Sequence, residues 1–273
     1  MKSLRTIQQA HKMFDTAGSS PLLVTCNDFK DWVCKYDKFP QYLLNELLSS
    51  EFGKLCHINI PETAFITVVD EHVPYDKYPT LQPYFFRKEC FGSLYIKNTK
   101  EIDLSFLPLF KEKSFRDKIQ HKSDFLNIAL FDIWLANEDR NHNNNNLLLH
   151  YAQNNTYTFY AIDHVNIFNS SSLDYGLSQL TEDDTIINTE LAKLLFSNNR
   201  KLGELMDKLV KNFYLCTEEC EAKLDSILAL VPYSWAVNTV DIRIKIQQTL
   251  FTDEWKKHCV MNFRTFVHSF ILS

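Results

Sequence analysis

Hydrophobic and polar positions follow two different rhythms along this chain. In the first third, short apolar runs alternate with turn residues. Leu22-Leu23-Val24-Thr25-Cys26 has β-preference, Asn27-Asp28 supplies turn chemistry, and Trp32-Val33-Cys34-Lys35-Tyr36 resumes an extended pattern, so this segment predicts a hairpin. Between Tyr42 and Leu55 the apolar residues fall at 43, 44, 47, 48, 52 and 55, which is helical spacing, and Ile60-Pro61 ends the unit. Phe65 to Val69 predicts another strand. An acidic loop with Pro and Tyr follows at 70–81, then an extended stretch over 84–96 broken at Gly92. The polar, then Pro-containing segment 95–110 marks a lobe boundary.

The second rhythm is helical. Residues 124–136 are apolar nearly all round, as in a helix buried within a lobe. A polar, Asn-rich loop spans 137–146. Two short strands, 147–149 and 157–162, flank a turn at Gln153-Asn154-Asn155. After the polar segment 169–184, amphipathic helices are expected at 188–198, 201–214, 217–230, 239–250 and 253–270. Trp134, Trp235 and Trp255 read most simply as core aromatics, and no internal repeat is present.

Composition narrows the function classes. A chain of 273 residues can form two lobes sharing a cleft. Five glycines leave little for a glycine-rich loop, and the formal net charge of −5 argues against direct nucleic-acid binding. Seven cysteines, an odd number set partly in apolar runs, read as reduced thiols of a cytoplasmic protein. Cys216 and Cys220 have a spacing that could hold a metal, but no second Cys/His pair of zinc-site spacing accompanies them. The N-terminus lacks the apolar region of a signal peptide, and no apolar run of about 20 residues occurs, so no membrane span is expected.

The chemistry concentrates in one stretch. Asp132-Ile133-Trp134-Leu135-Ala136-Asn137-Glu138-Asp139-Arg140 leads through Asn141-His142-Asn143-Asn144-Asn145-Asn146 into Leu147-Leu148, and Tyr160-Ala161-Ile162-Asp163-His164 follows. A buried helix thus delivers a loop that opens with Asp-Arg and ends in Asn at a strand, and a second strand ends at another Asp. Phosphoryl transfer from ATP needs such a set: one carboxylate for the attacking hydroxyl, and an amide and a second carboxylate to hold Mg²⁺ against the phosphates. A loop fixed at both ends meets the positional tolerance of catalysis.

This constellation resembles the HipA-like kinases and, more distantly, the phosphatidylinositol kinases. The resemblance implies Asp139 as catalytic base and Asp163 as main metal ligand. Either Asn144, which has the usual five-residue offset from Asp139, or Asn146, which has the usual Leu-Leu successor, would complete the metal site. Lys35 would contact the α/β-phosphates, with Lys38 as the nearby alternative, and would pair with Glu46 eleven residues on. Gly18, Ser19 and Ser20 precede the first hairpin strand, where the family has its phosphate-covering loop. Phe91-Gly92-Ser93 would lie near the adenine. The implied fold is α+β: a two-lobed, protein-kinase-like arrangement. A small N-terminal ATP-binding lobe (1–100) with an antiparallel sheet and one principal helix precedes a larger, mostly helical catalytic lobe (101–273). The implied activity is ATP- and Mg²⁺-dependent transfer of the γ-phosphate to a hydroxyl, with a protein Ser or Thr as acceptor. An antitoxin-like regulatory partner also belongs to the family pattern.

Plainer readings compete. Asp139-Arg140 alone could be a surface ion pair, the Asn run a low-complexity loop, Lys35 a solvated strand end and Glu46 an exposed helix residue. Asp132 reads either as a brace for the loop or as a helix-surface residue, and His142 and His164 as positioning or solvent-facing groups. The absence of G-x-G-x-x-G, and His164-Val165 after the second Asp, separate the chain from ordinary eukaryotic protein kinases. An inactive nucleotide-binding module and a lipid or small-molecule kinase are the alternatives.

Overall fold

The structure is a computed structural model that describes residues 1–16, 20–170 and 173–272. Its first sheet holds β1 (Lys2–Arg5), β2 (Lys12–Met13), β3 (Leu22–Thr25), β4 (Asp31–Lys35), β5 (Thr63–Thr67) and β6 (Cys90–Leu94), in the order β1-β5-β6-β4-β3-β2. The β3–β4 hairpin forms as its alternation predicts. Leu22 and Val24 face inward from one strand and Trp32 and Cys34 from the next. Asp28 tightens the turn by accepting from the Lys30 amide and the Trp32 indole, both at 3.2 Å. All pairings are antiparallel except β1 on β5. Past β1 the chain meets the hairpin turn through a Thr6–Cys26 bridge, so the two sides of the sheet approach one another there.

Gly92 departs from the expected break: it lies inside β6, paired with both Cys34 and Ala64. Its role is close packing, since a Cβ there would meet the Ile66 side chain at 2.4 Å and the Ala64 carbonyl at 3.2 Å. The residues before it, Pro83–Phe86, form a short 3₁₀ turn and not a strand.

Helix α1 (Pro40–Leu55) follows the hairpin. Proline opens it, where the missing N–H is no loss. Leu43, Leu44, Leu47, Leu48 and Phe52 are buried, and so are Asn45, Glu46, Ser49 and Ser50, because α1 lies between the sheet and the helical half of the molecule. Ser49 and Ser50 return their hydroxyls to helix carbonyls, which removes the cost of burying them.

The second sheet consists of β7 (Thr99–Glu101), β8 (Leu147–Tyr151) and β9 (Tyr157–Ala161). Two short helices, α2 (Leu107–Lys111) and α3 (Lys113–Arg116), lie where the sequence pattern suggested only a polar connection. Helix α4 (Ser123–Leu135) is buried from Phe125 onward except at Asn127 and ends at Ala136 in a left-handed conformation. It is enclosed by α5 (Glu190–Phe196), α6 (Leu202–Leu228), α7 (Thr239–Gln248) and α8 (Asp253–Val267) with the chain between them; the Trp134 indole donates to Leu250 O and the Trp255 indole to Trp134 O. The two helices expected over 201–230 are one. No Gly or Pro stands at the junction, and Thr217 there sends its hydroxyl back to Tyr214 O at 3.0 Å.

The halves are joined by more than the 95–98 connection. Trp235, in a 3₁₀ turn after α6, donates to Glu89 O at 2.7 Å and meets Phe65 edge-on at 5.6 Å. All seven cysteines are free and buried, deeper than their sequence context suggested. Among the described residues no helix is long and apolar enough to cross a membrane.

Candidate active site

Three distant segments deliver charged groups to the cleft between the halves. Lys35 ends β4, an interior strand, and its side chain is buried beneath α1. Its ammonium pairs with the Glu46 carboxylate from α1 and with Asp163 Oδ1 at 2.9 Å. Asp163 stands just beyond β9 with φ +55°, a left-handed conformation that Asp tolerates better than most residues. Helix α1 also holds the segment after Asp163: Glu46 Oε1 accepts from the His164 amide at 3.1 Å, and Asn45 donates to Val165 O at 2.8 Å.

The charges adjust to one another. Burial pulls the Lys35 ammonium down, but Asp163 and Glu46 outweigh it and hold the group above the ordinary lysine range. Burial pushes the Glu46 carboxyl up against the opposing pull of Lys35. At Asp163 burial also acts upward, but Lys35 prevails and holds this carboxylate below its usual range. A carboxylate that stays ionised and half-exposed at a cleft wall suits a hard cation.

The catalytic-loop candidate hangs from the same strand pair. Leu147 and Ala161 are opposite one another, and beyond them the Ile162 amide donates to Asn146 O at 3.1 Å. Asn146 (φ +44°) then turns its side-chain amide to Asp139 Oδ2 at 3.1 Å. Asn144 contributes its carbonyl to the Asn141 amide at 2.9 Å, and Asn145 donates its side chain to Ile102 O at 3.1 Å. The Asn-rich stretch is therefore built position by position and is not low-complexity filler. Asp139 itself is half-buried.

Arg140 is fully buried, so the surface ion pair with Asp139 does not exist. Its guanidinium reaches Asp132 at 2.5 Å, Ile162 O at 2.6 Å, Asn146 O at 3.4 Å and His164 Nε2 at 3.1 Å. Asp132 is thus a brace and not a helix-surface residue. It also accepts from Asn137 at 2.8 Å, while its second oxygen and the Asn137 side-chain carbonyl have no protein partner. Because Arg140 can only donate, His164 Nε2 is an acceptor and the ring is neutral. Burial first, then Arg140 and Lys35, hold this imidazole well below its usual range. His142 is exposed.

The cleft encloses about 280 Å³. Lys35, Glu46, Asp163 and Glu101 form its charged end, with the neutral His164 beside them; Val33, Ile60, Phe91, Leu94, Ile96 and Leu148 form an apolar part suited to a planar base. Phe91 and Ser93 line it, and so do the connection residues Tyr95 and Ile96, which no motif marks. Lys38 is exposed, with its ammonium 5.4 Å from the Phe39 ring centroid. Gly18 and Ser19 lie outside the described residues. Ser20 has φ +40°, accepts from the Tyr36 hydroxyl at 2.9 Å and donates to Thr16, and Thr16 and Pro21 border the cleft. Among the described residues no group of three or more His, Cys, Asp or Glu is arranged to hold a metal.

Sequence reasoning overlooked Asn45 and Asn137. Both are polar residues directly after apolar residues of a helical pattern, which is a usable signal for a buried polar group with a partner.

Comparison with known proteins places these features in context. A model of a family described as HipA-like kinase matches residues 7–264. No curated protein sequence matches. Among solved structures, the Helicobacter pylori proinflammatory kinase CtkA shares 14% identity, with 95% of this chain and 99% of that one covered at a TM-score of 0.53, which shows a common fold. The Shewanella oneidensis MR-1 toxin–antitoxin complex of HipA and HipB with operator DNA shares 14% identity over 92% of this chain and 68% of that one, at a TM-score of 0.47.

Proposed function

The chain belongs to the HipA-like kinase family, and we propose that it transfers the γ-phosphate of ATP, in a Mg²⁺-dependent reaction, to a Ser or Thr hydroxyl of a protein. The observation that carries this reading is the Lys35 ammonium, held between Glu46 and Asp163 at the charged end of a largely apolar cleft. On this reading residues 1–100 form the nucleotide-binding lobe and 101–273 the catalytic lobe, working in the cytoplasm. A regulatory protein partner of antitoxin type rests on family membership alone.

The residues divide the work. Lys35 binds the α/β-phosphate oxygens, and Glu46 keeps its ammonium in the cleft. Asp163, with Asn146 or Asn144, holds Mg²⁺, which neutralises phosphate charge when bound. Asp139 accepts the proton of the acceptor hydroxyl, and Asn146 fixes the carboxylate that receives it. Arg140 keeps Asp139 and Asp163 in register by bonding carbonyls on both strands.

Radiolabelled ATP offered with Mg²⁺ to the protein and to a cell lysate tests the proposal. Label should appear in protein, resist hydroxylamine as a phosphoester does, and vanish with Asp139→Asn. Nucleotide binding without transfer would instead favour an inactive binding module, and label in lipid or a small molecule would overturn the acceptor class.

A further inference from the structure

A second groove, of about 400 Å³, lies beside the catalytic loop. Three segments wall it: residues 102–110, the loop tip 142–145, and residues 183–191 leading into α5. It shares no lining residue with the nucleotide cleft. The loop that carries Asp139 and Asn146 therefore borders the groove through His142, Asn143 and Asn145.

Three features define what could lie in it. First, Asp103, Asp183 and Glu190 are its only formally charged lining residues, and no Lys or Arg accompanies them. All three are exposed. Asp103 is pinned by its bond from the Ser105 amide at 2.7 Å, and Ser105, with Lys100 nearby, holds its carboxyl below the usual range, so it stays ionised. Second, the floor is apolar: Ile102 and Phe110 are buried, whereas Leu104 stands 75% exposed within the groove. An isolated leucine presented beside carboxylates offers an anchor for another apolar side chain. Third, Asn145 donates to Ile102 O, so the groove floor and the catalytic loop are mechanically one piece.

We propose that this groove receives the acceptor polypeptide and selects segments that carry a basic residue and an apolar residue near the phosphorylated Ser or Thr. The proposal rests on the kinase reading above and adds the acceptor's chemistry to it. Lys100, outside the lining, partly offsets Asp103, but three carboxylates with no lining Lys or Arg leave an excess of like charge whose repulsion rejects a phosphate-rich ligand, which disfavours nucleic acid and anionic lipid. A Lys or Arg side chain relieves that repulsion, and an aliphatic side chain covers Leu104. A free polyamine would satisfy the carboxylates but leave the apolar floor uncovered.

Fluorescein-labelled octapeptides with one central Ser provide the test. One carries Arg and Leu beside the Ser, one carries Glu and Leu, and one carries Arg and Ser. Anisotropy without nucleotide reads binding; transfer from labelled ATP reads kcat/KM. The Arg/Leu peptide should bind and react about tenfold better than the Glu/Leu peptide, the sum expected of a few exposed charge pairs. The triple variant Asp103→Asn, Asp183→Asn, Glu190→Gln should lose that preference while its ATP affinity, read by calorimetry, stays unchanged. Asp183→Lys with Glu190→Lys should turn the preference toward the Glu/Leu peptide. Equal binding of basic and acidic peptides, or a preference that survives the triple variant, overturns the proposal, as does label transferred to spermidine in place of peptide. Transfer to protein with no such preference defeats the groove assignment and leaves the kinase reading standing. Failure to bind or turn over ATP defeats the kinase reading itself, and the nucleotide-free anisotropy still reports on the groove.

Discussion

Two buried carboxylate–cation clusters lie side by side at the centre of this molecule, and they differ in what they can let go. In the cleft cluster, Lys35 is shared by Glu46 and Asp163, and the Asp163 side chain keeps 32% of its surface exposed. In the neighbouring cluster, Arg140 and Asp132 are sealed at 0% and 3%. His164 belongs to both: its amide meets Glu46 and its ring meets Arg140. Lysine is a compact charge on a flexible stem that can change partners, whereas the arginine fork spends its donors on several fixed acceptors at once. The exchangeable cation thus faces the cleft, and the permanent one ties together the strands behind it.

The largest effects should fall on catalysis and separate the cleft residues from each other. Asp139→Asn should lower phosphotransfer about 10²–10⁴-fold, the range for losing a general base, with Mg²⁺-ATP affinity and melting temperature nearly unchanged. Asp163→Asn should lower transfer by about 10³-fold or more and weaken Mg²⁺-ATP binding as well, read by calorimetry. If Asp163→Asn binds Mg²⁺-ATP as the native chain does, the cleft cluster does not exchange partners with a ligand and the contrast is lost.

Next in size is stability. Arg140→Met leaves Asp132 buried and unpaired, which costs about 3–5 kcal/mol, or a melting temperature lower by about 10 °C. Lys35→Met should cost less, because the half-exposed Asp163 can reach water whereas Asp132 is sealed. Equal losses in the two variants would show that the clusters are energetically alike.

The same contrast explains what could be read before the fold was known. Lys35, Glu46, Asp139 and Asp163 carry charge at motif spacing, so their types and order point to phosphate chemistry. The buried helix α4 and the β3–β4 hairpin were equally legible, because burial and alternation leave a periodic mark. Arg140 looked like a surface partner of Asp139, since nothing local marks a guanidinium as fully enclosed; only the return of β9 supplies Ile162 O and His164. Gly92 misled for a related reason: its need for close approach comes from Ile66, on a different strand. The junction near Thr217 resembled a break because a hydroxyl that bonds back to its own helix leaves no sign in the sequence. The contact of Asn146 with Asp139 comes with a left-handed φ of +44° at Asn146, which composition does not encode.

A smaller effect isolates the ion pair from the tethers. The double variant Asp132→Leu, Arg140→Met removes both buried charges and should recover most of the stability that Arg140→Met alone loses. Phosphotransfer should remain low, because Ile162 O and Asn146 O still lack the guanidinium that held them, each omission costing about 1–3 kcal/mol in a buried setting. Recovery of full activity would mean that the sealed cluster contributes charge balance only, and that strand register is maintained without it.

The smallest effect is a pH slope that belongs to the shared residue. His164 is buried and neutral, with its Nε2 accepting from Arg140 and its folded pKa well below the usual imidazole value. An unfolded chain protonates this ring near pH 6.5. Below that point the unfolded state binds the extra proton and the folded state does not, so the contribution of His164 is complete above about pH 6.5 and is lost progressively on acidification toward the folded pKa. The slope attributable to one such group is at most about 1.4 kcal/mol per pH unit. His164→Gln keeps an acceptor for Arg140 and removes the titration. Denaturant unfolding of the native chain and of His164→Gln at pH 7.5, 6.5 and 5.5 should therefore converge as the pH falls, the native chain losing more stability than the variant. Parallel curves would place the Arg140–His164 contact outside the energetics of the fold, and the two clusters would then be neighbours without a shared member.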